Sequence, residues 1–202
     1  MSLDFTYEDY LQHVHPHDQW HRLYILPEFY GHFKAKYELF KRYDKSLIAE
    51  IGVRWGYSLN AFCHANPNLE FHGFDLINGG HGGEERNINT FPYIQEKINE
   101  KFPNVKLNLY HQNSQELETL NDMKFDYIHI DGDHSYGGCY HDMEIALKSS
   151  NKGAIMHLDD YEHTNVPTVK QAIDQWVIDN NDKILKHYSY SSLRGEYIIE
   201  LK

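Results

Sequence analysis

Three carboxylates and a histidine follow two apolar segments late in the chain, with a spacing suited to binding a metal ion. Asp131 and His134 come after the apolar residues 127–130, and Asp159 and Asp160 end a similar run. Three carboxylates brought to one point repel each other, and a divalent cation relieves that repulsion. Magnesium prefers such oxygen ligands. We therefore predict a site for Mg²⁺, or for another divalent cation, formed by Asp131, Asp159 and Asp160.

His134 is the candidate proton acceptor beside this site. Imidazole titrates near neutral pH, and a bound divalent cation lowers the pKa of a hydroxyl group. A hydroxyl held in this way loses its proton to a nearby base and becomes a nucleophile. We predict catalytic roles for His134 and Asp131, with Asp131 and Asp133 as the alternatives for the base.

Two glycines in the first half of the chain indicate a tight turn beside a ligand. Gly52 and Gly56 follow the apolar residues 47–51, and Ser58 can cap a helix that begins after the turn. The spacing is not that of the GxGxxG dinucleotide motif, because the third glycine is missing. Alone, a glycine turn after a strand is equally consistent with an ordinary turn.

Polar residues at the next two strand ends favour a nucleoside ligand. Asp75 lies in the run 70–76, and a carboxylate at such a position can accept hydrogen bonds from both ribose hydroxyls. Asn113 and Ser114 follow the run 105–111 and suit the edge of an adenine ring. The alternatives are a solvated turn acid for Asp75 and a helix cap for Asn113.

These residues need a parallel sheet to bring them together. Strand-like runs alternate with helix-like segments along the chain, which indicates an α/β protein with helices on both faces of the sheet. We predict a Rossmann-like, doubly wound, mostly parallel seven-stranded sheet with a C-terminal antiparallel strand. Ligands bind beyond the carboxyl ends of the strands in such sheets. The predicted strands are residues 47–51, 70–76, 105–111, 127–131, 154–158, 184–190 and 196–201.

A length of 202 residues predicts a single domain. Within it we expect an N-terminal helical lid or cap over residues 1–46 and a cofactor-binding core over residues 47–202. The segment HVHPHDQWH, residues 13–21, is predicted to form a wall of the acceptor site. A second metal site and an interface between copies of the chain are the alternatives for this segment.

Several of these motifs resemble a known enzyme family. EIGVRWGYS (residues 50–58), GFDL (73–76) and IDGDHSYGG (130–138) resemble the class I S-adenosylmethionine-dependent methyltransferases, most closely the small bacterial O-methyltransferases. LDDY (158–161) and TVKQAIDQW (168–176) are similar to the metal-dependent macrocin-type sugar O-methyltransferases. Residues 1–29 and the glycine- and histidine-containing loop 78–84 have no counterpart in this resemblance.

The resemblance implies S-adenosylmethionine as the cofactor and a divalent cation at the three aspartates. It implies methyl transfer to a hydroxyl of a small molecule, with a sugar as the preferred acceptor. The cofactor contacts that we expect are Glu50, Gly52, Val53, Gly56, Ser58, Asp75, Asn113, Ser114 and Asp131. A metal-dependent hydrolase and a non-catalytic cofactor-binding domain are the alternative functions. A ribose-binding Asp75 beside the glycine turn discriminates against the hydrolase.

Composition restricts the partners and the location. The formal net charge of −11 argues against a nucleic-acid partner, because phosphate binding needs the opposite sign. No apolar run approaches the roughly 20 residues that span a bilayer, and the first residues do not have the pattern of a signal peptide. We therefore expect a cytoplasmic protein that binds neither nucleic acid nor membrane. The sequence does not determine its oligomeric state.

Overall fold

Seven strands and seven α-helices occur in residues 3–76 and 89–202, which this computed structural model describes. Three helices precede the first strand, and from there to the fifth strand most strands are followed by a helix. The predicted loop 78–84 lies outside the described residues. The strands are β1 (Leu47–Ile51), β2 (Glu70–Asp75), β3 (Lys106–His111), β4 (Phe125–Ile130), β5 (Ser150–Leu158), β6 (Ile184–Tyr190) and β7 (Glu196–Leu201). The helices are α1 (Tyr7–His13), α2 (His21–Tyr24), α3 (Pro27–Tyr43), α4 (Tyr57–Ala65), α5 (Phe91–Lys101), α6 (Tyr136–Lys148) and α7 (Pro167–Asp179).

The strand order β3-β2-β1-β4-β5-β7-β6 makes the sheet doubly wound. β1 to β5 pair in parallel with their neighbours, whereas β7 runs antiparallel to both β5 and β6. The predicted seven-stranded sheet with one antiparallel C-terminal strand is therefore confirmed. The order of strands reverses between β1 and β4, and the crevice at such a reversal is where doubly wound sheets bind their ligands.

The register of the strands aligns three chemically important positions. Ile51 of β1 pairs with Ile130 of β4, and Ile130 pairs with Leu158 of β5. The ladder continues one residue further, since the amide of Asp131 donates to Ile51 and the amide of Asp159 donates to Ile130. The residues that follow the three strand ends therefore lie side by side at the carboxyl edge of the sheet: Gly52, Asp131 and Asp159.

Helices cover both faces of the sheet, as a doubly wound fold requires. Phe33 and Phe40 of α3 pack in one apolar cluster with Tyr127 of β4, whereas Trp176 of α7 packs in the other cluster with Ile128. Successive residues of a strand point to opposite faces, so Tyr127 and Ile128 belong to different clusters. His129 shares a face with Tyr127 and therefore points towards α3 and α4. None of the described helices combines the length and the apolar character that crossing a bilayer requires.

The sequence pattern also predicts helices near residues 140–149 and 115–120, and both differ from the structure. The helix predicted to start near residue 140 begins at Tyr136, because the Ser135 side chain accepts a hydrogen bond from the Gly138 amide at 3.0 Å and caps the helix ahead of both glycines. The helix predicted over 115–120 is a single 3-10 turn, Ser114–Glu116. Sequence patterns locate such boundaries poorly, since one side-chain hydrogen bond can move them.

Candidate active site

The turn between β1 and α4 is shaped by its two glycines. Gly52 has φ 85° and Gly56 has φ 73°, both in the left-handed region. A Cβ atom at Gly52 would lie 1.8 Å from the backbone oxygen of Asp131, because β1 and β4 are neighbours. Only glycine fits there, so the backbone at the switch point stays open to a ligand. Val53 follows Gly52 in this turn and is buried.

Glu50 presents an unsatisfied oxygen at the end of β1. Its Oε1 accepts a hydrogen bond from the Ser58 hydroxyl and lies 2.7 Å from His129 Nδ1. Its Oε2 has no hydrogen-bond partner among the described residues, and the side chain is fully buried. Burial raises the pKa of Glu50 well above its ordinary value. A buried carboxylate oxygen of this kind fits a cationic group such as the ammonium of a methionine moiety.

Asp75, at the end of β2, fastens the glycine turn. Its Oδ2 accepts hydrogen bonds from the amides of Val53 at 2.7 Å and Arg54 at 2.5 Å. Burial raises the pKa of Asp75, and the amides of Arg54 and Val53 oppose that shift. The carboxylate predicted to bind ribose therefore also holds the backbone of the glycine turn.

The end of β3 carries local hydrogen bonds. The Asn113 side chain accepts from the Gln115 amide at 3.1 Å and donates to Glu116 Oε1 at 3.1 Å, so it caps the 3-10 turn. Ser114 opens that turn. The neighbouring Gln112 has a buried Oε1 without a hydrogen-bond partner among the described residues. Sequence reasoning did not single out Gln112, whose unused acceptor suits an amino group.

Asp142 is a second residue that sequence reasoning missed. It is fully buried in α6, and burial raises its pKa to about 6. Its Oδ1 accepts from Gln115 Nε2 at 2.7 Å, and its Oδ2 accepts from the Asp133 amide at 3.1 Å. Asp142 therefore ties the loop after β4 to the turn after β3. A single acid inside a helical pattern gives no sequence signal for such a role.

Asp131, His134 and Asp160 form a group beyond the ends of β4 and β5. His134 Nε2 lies 3.2 Å from Asp131 Oδ1 and 3.3 Å from Asp160 Oδ2, and the ligand atoms of the three residues lie within 4.8 Å of one another. Asp160 is 1% exposed, and neither of its oxygens has a hydrogen-bond partner among the described residues. Buried carboxylates without donors need a compensating positive charge. This donor set fits a divalent cation.

Positive side chains surround these carboxylates. Burial raises the pKa of Asp131 to about 6, and the charge of Asp159 acts in the same direction. Burial lowers the pKa of His134, but the hydrogen bond and charge of Asp131 outweigh this effect and raise it to about 9. The charge of Asp131 therefore favours the protonated imidazole, and His134 Nε2 is within hydrogen-bond distance of Asp131 Oδ1. The Arg194 guanidinium lies 3.6 Å from Asp160 Oδ1 and adds a further positive charge.

Asp159 belongs to a different group, although it adjoins Asp160. Its Oδ2 lies 2.9 Å from Lys36 Nζ and 3.4 Å from His32 Nε2, both on α3. Its Oδ1 accepts from the Asp160 amide at 2.8 Å. Lys36 Nζ also lies 3.1 Å from Glu196 Oε2 in β7. Of the three aspartates predicted to bind one ion, the structure brings Asp131 and Asp160 to the same histidine and Asp159 to a buried lysine.

Sequence reasoning missed His32 and Lys36 of α3 and Glu196 of β7. For Lys36 a signal was present in the sequence. Lys36 lies between Phe33, Tyr37 and Phe40, the apolar positions that predict the buried face of α3. A lysine on a buried face requires an anionic partner. Glu196 shows no comparable pattern, and its proximity to Lys36 depends on β7 pairing beside β5.

The N-terminal histidine-rich segment packs against the glycine turn. Asp18 is 4% exposed and binds the Arg54 guanidinium through two hydrogen bonds, of 2.9 and 2.7 Å. The Tyr57 hydroxyl donates to the same carboxylate at 2.6 Å. His15 stacks on Trp55 with ring centroids 4.2 Å apart. The histidines of this segment form no three-residue metal group within the described part of the chain.

A family model described as a methyltransferase domain matches residues 49–161. The matched span contains the glycine turn, Asp75 and the Asp131–His134 segment. Comparison with curated proteins finds no match.

Solved structures share this fold at low sequence identity. The O-methyltransferase TomG from Streptomyces achromogenes, in complex with SAM, is 15% identical with a TM-score of 0.65, over 99% of this chain and 92% of TomG. The O-methyltransferase from Bacillus cereus, in complex with SAH, is 18% identical with a TM-score of 0.61, over 100% of this chain and 93% of that one. SAH-bound PaMTH1 from Podospora anserina is 14% identical with a TM-score of 0.65, over 100% of this chain and 90% of PaMTH1.

The family match covers more than half of the 202 residues. The alternative function as a metal-dependent hydrolase has no comparable support. The glycine turn at the switch point and the doubly wound sheet agree with that match. The chain therefore belongs to the methyltransferase-domain family, and its fold is the Rossmann-like fold of the class I S-adenosylmethionine-dependent methyltransferases.

Proposed function

We propose that the protein transfers the methyl group of S-adenosylmethionine to a hydroxyl oxygen of a small molecule, with a divalent cation at the carboxylates that follow β4 and β5. One observation carries the proposal: the glycine turn and Glu50 adjoin Asp131 across the β1–β4 pair. A nucleoside site and a site for a hydroxyl-binding cation on adjacent strand ends are what methyl transfer to oxygen needs.

The first three strand ends bind the cofactor in this proposal. S-adenosylmethionine supplies a methyl group on a positively charged sulfur. Glu50 accepts the ammonium of the methionine moiety through its unpaired Oε2, and Asp75 accepts the ribose hydroxyls. Asn113 and Ser114 contact the adenine edge. The residues that line the turn are Gly52, Val53, Gly56 and Ser58.

The strand ends of β4 and β5 prepare the acceptor. During transfer the bond between the methyl carbon and sulfur breaks, a bond from that carbon to the acceptor oxygen forms, and the hydroxyl proton leaves to a base. Asp131 and Asp160 would hold the cation, Mg²⁺ or another divalent ion, together with Asp159 or His134. Such an ion would lower the pKa of the hydroxyl. His134 and Asp131 are the two candidates for the base. Asp133 accepts a hydrogen bond from the Ser135 amide at 2.7 Å, which favours a capping role for it.

The acceptor class rests on the family resemblance of LDDY and the segment behind it, which favours a sugar hydroxyl. The net charge of −11 argues against nucleic acid as the acceptor. Residues 13–21 form one wall beside the cofactor turn in this proposal. A cytoplasmic location is the prediction from sequence.

The test is release of S-adenosylhomocysteine with a panel of nucleotide sugars, glycosides and catechols, before and after exhaustive chelation. We expect turnover with at least one acceptor, its loss on chelation and its recovery with Mg²⁺ or Mn²⁺. His134→Gln should lower turnover about 100-fold while S-adenosylmethionine affinity is unchanged. Cofactor binding without turnover on any acceptor would support the non-catalytic alternative, and full activity after chelation would remove the cation from the proposal.

A further inference from the structure

We infer that the divalent cation is bound by Asp131, Asp160 and His134, and that Asp159 serves instead as the buried counter-ion of Lys36 and His32 on α3. The inference rests on the proposed function, because it assigns the ligands of the cation proposed there. It also changes the preferred metal, since a site with an imidazole ligand favours a transition-metal ion over Mg²⁺.

The oxygens of Asp159 are already occupied by protein donors. Oδ1 accepts from the Asp160 amide at 2.8 Å, and Oδ2 lies 2.9 Å from Lys36 Nζ and 3.4 Å from His32 Nε2. A divalent cation bound to Asp159 would have to displace the lysine ammonium or lie beside it. Two cations so close together repel, so Asp159 is a poor ligand while Lys36 stays in place.

The Lys36 ammonium is held in place by buried contacts. Its side chain is fully buried, and its Nζ lies 3.1 Å from Glu196 Oε2 and 3.0 Å from His129 Nε2 in addition to Asp159. Moving the ammonium away would leave the two buried carboxylates of Asp159 and Glu196 with His32 as their shared positive group. Two other groups of potential metal ligands occur among the described residues, His129–His157–Glu196 and His32–Asp159–Glu196. The Lys36 ammonium contacts both groups and takes the place that a metal ion would need.

Asp160 differs from Asp159 because its nearest permanently charged cation, the Arg194 guanidinium, lies 3.6 Å away and not at the 2.9 Å of the Lys36 ammonium. Asp160 is 1% exposed and neither oxygen receives a hydrogen bond from the described residues. Its neighbours are His134 Nε2 at 3.3 Å, His163 Nδ1 at 3.4 Å and Arg194 Nη1 at 3.6 Å. The ligand atoms of Asp131, His134 and Asp160 lie within 4.8 Å of one another. An ion about 2.1 Å from each ligand places neighbouring ligands about 3 Å apart and opposite ligands about 4 Å apart, so one octahedral ion can contact all three.

The assignment gives His134 the role of a ligand. Its Nε2 then cannot accept the hydroxyl proton, which goes to the remaining oxygen of Asp131 or to solvent. Mn²⁺ accepts both carboxylate and imidazole ligands, whereas Mg²⁺ favours oxygen. We therefore expect at least tenfold tighter binding of Mn²⁺ than of Mg²⁺.

The experiment is a Mn²⁺ titration followed by electron paramagnetic resonance, without any acceptor, on the wild-type protein and four single variants. Asp159→Asn should keep the dissociation constant for Mn²⁺ within threefold of the wild-type value. Asp160→Asn and Asp131→Asn should raise it at least 30-fold. His134→Gln should raise it at least tenfold and reduce the preference for Mn²⁺ over Mg²⁺. Circular dichroism and urea unfolding check that each variant is folded.

Because Asp159→Asn alone leaves Lys36 with one carboxylate fewer, the double variant Lys36→Met/Asp159→Asn removes both charges together. It should also bind Mn²⁺ within threefold of wild type. Loss of Mn²⁺ binding in the double variant, or a loss in Asp159→Asn as large as in Asp160→Asn, would overturn the inference while leaving the proposed function intact. An unchanged Mn²⁺ affinity in His134→Gln would return His134 to the role of base. A wild-type protein that binds no Mn²⁺ would remove both the inference and the cation of the proposed function.

Discussion

At the scale of single residues, Asp75 combines two tasks. Its Oδ2 accepts the amides of Val53 and Arg54, and in the proposed function the same carboxylate binds ribose. A charged acceptor suits both tasks, because hydrogen bonds to charged groups contribute more than neutral ones, about 1.5–3 kcal/mol each. Binding and folding should therefore respond differently to loss of the charge and loss of the oxygens.

Asp75→Ala removes the charge and both acceptors. We expect at least tenfold weaker S-adenosylmethionine binding by calorimetry, and a loss of unfolding free energy of about 2–4 kcal/mol in urea, because two amides lose their partner. Asp75→Asn keeps one acceptor oxygen, so it should lose comparable affinity with a smaller loss of stability. Unchanged cofactor affinity in both variants would place the ribose elsewhere.

At the scale of elements, the β1–α4 turn depends on glycine where α3 does not. Gly52→Ala combines a left-handed φ of 85° with a Cβ 1.8 Å from the Asp131 oxygen, so we expect a loss of more than about 2 kcal/mol of stability and of cofactor binding. Gly31→Ala in α3 meets no atom within 4 Å and should stabilise the protein by about 0.5–1 kcal/mol. Urea unfolding measures the loss of stability in Gly52→Ala and the gain in Gly31→Ala. Equal stabilities of the two variants would contradict the prediction.

Asp18 is a buried acid that links the N-terminal segment to the β1–α4 turn. Asp18→Ala leaves the Arg54 guanidinium and the Tyr57 hydroxyl without their shared acceptor. Breaking a buried pair on one side costs about 3–5 kcal/mol, and cofactor affinity should fall as well, since Arg54 belongs to the turn. The control is Glu38→Ala, which breaks an exposed pair with Lys34 and should cost less than about 1 kcal/mol. Similar losses in the two variants would show that the segment is not anchored through Asp18.

At the scale of the whole molecule, buried histidines make stability depend on pH. Burial lowers the pKa of His13 to about 4, although its ring nitrogen lies 3.1 Å from the Trp55 carbonyl oxygen. The unfolded chain binds this proton below about pH 6.5, whereas the folded protein does not until about pH 4. Burial also lowers the pKa of His129 and His157, which act in the same direction. The contribution of these three histidines to stability is therefore lost as pH falls from neutrality.

His13→Gln should make the stability curve flatter between pH 6.5 and 4.5. Glutamine can donate to the Trp55 carbonyl but does not titrate, so the variant lacks a contribution of up to about 3 kcal/mol to the acid-induced loss. Urea unfolding at several pH values in this interval measures the two slopes. Parallel slopes for the wild type and the variant would contradict the assignment.

The sequence alone determined the fold class and the edge of the sheet that carries the chemistry. Alternating strand-like and helix-like runs predicted the doubly wound sheet, and the ends of those runs carried Gly52, Asp75 and Asp131. This works because strand periodicity and turn chemistry are local properties. The rule that parallel strands present their carboxyl ends at one edge then places distant residues together.

Only the tertiary structure decided which carboxylates share a neighbour. Asp159 and Asp160 are adjacent in sequence, yet one contacts Lys36 of α3 and the other contacts His134. The N-terminal segment likewise reaches the cofactor turn through Asp18, a contact across 36 residues. Such contacts depend on how α3 and β7 pack on the sheet, and packing joins residues whose spacing along the chain carries no pattern.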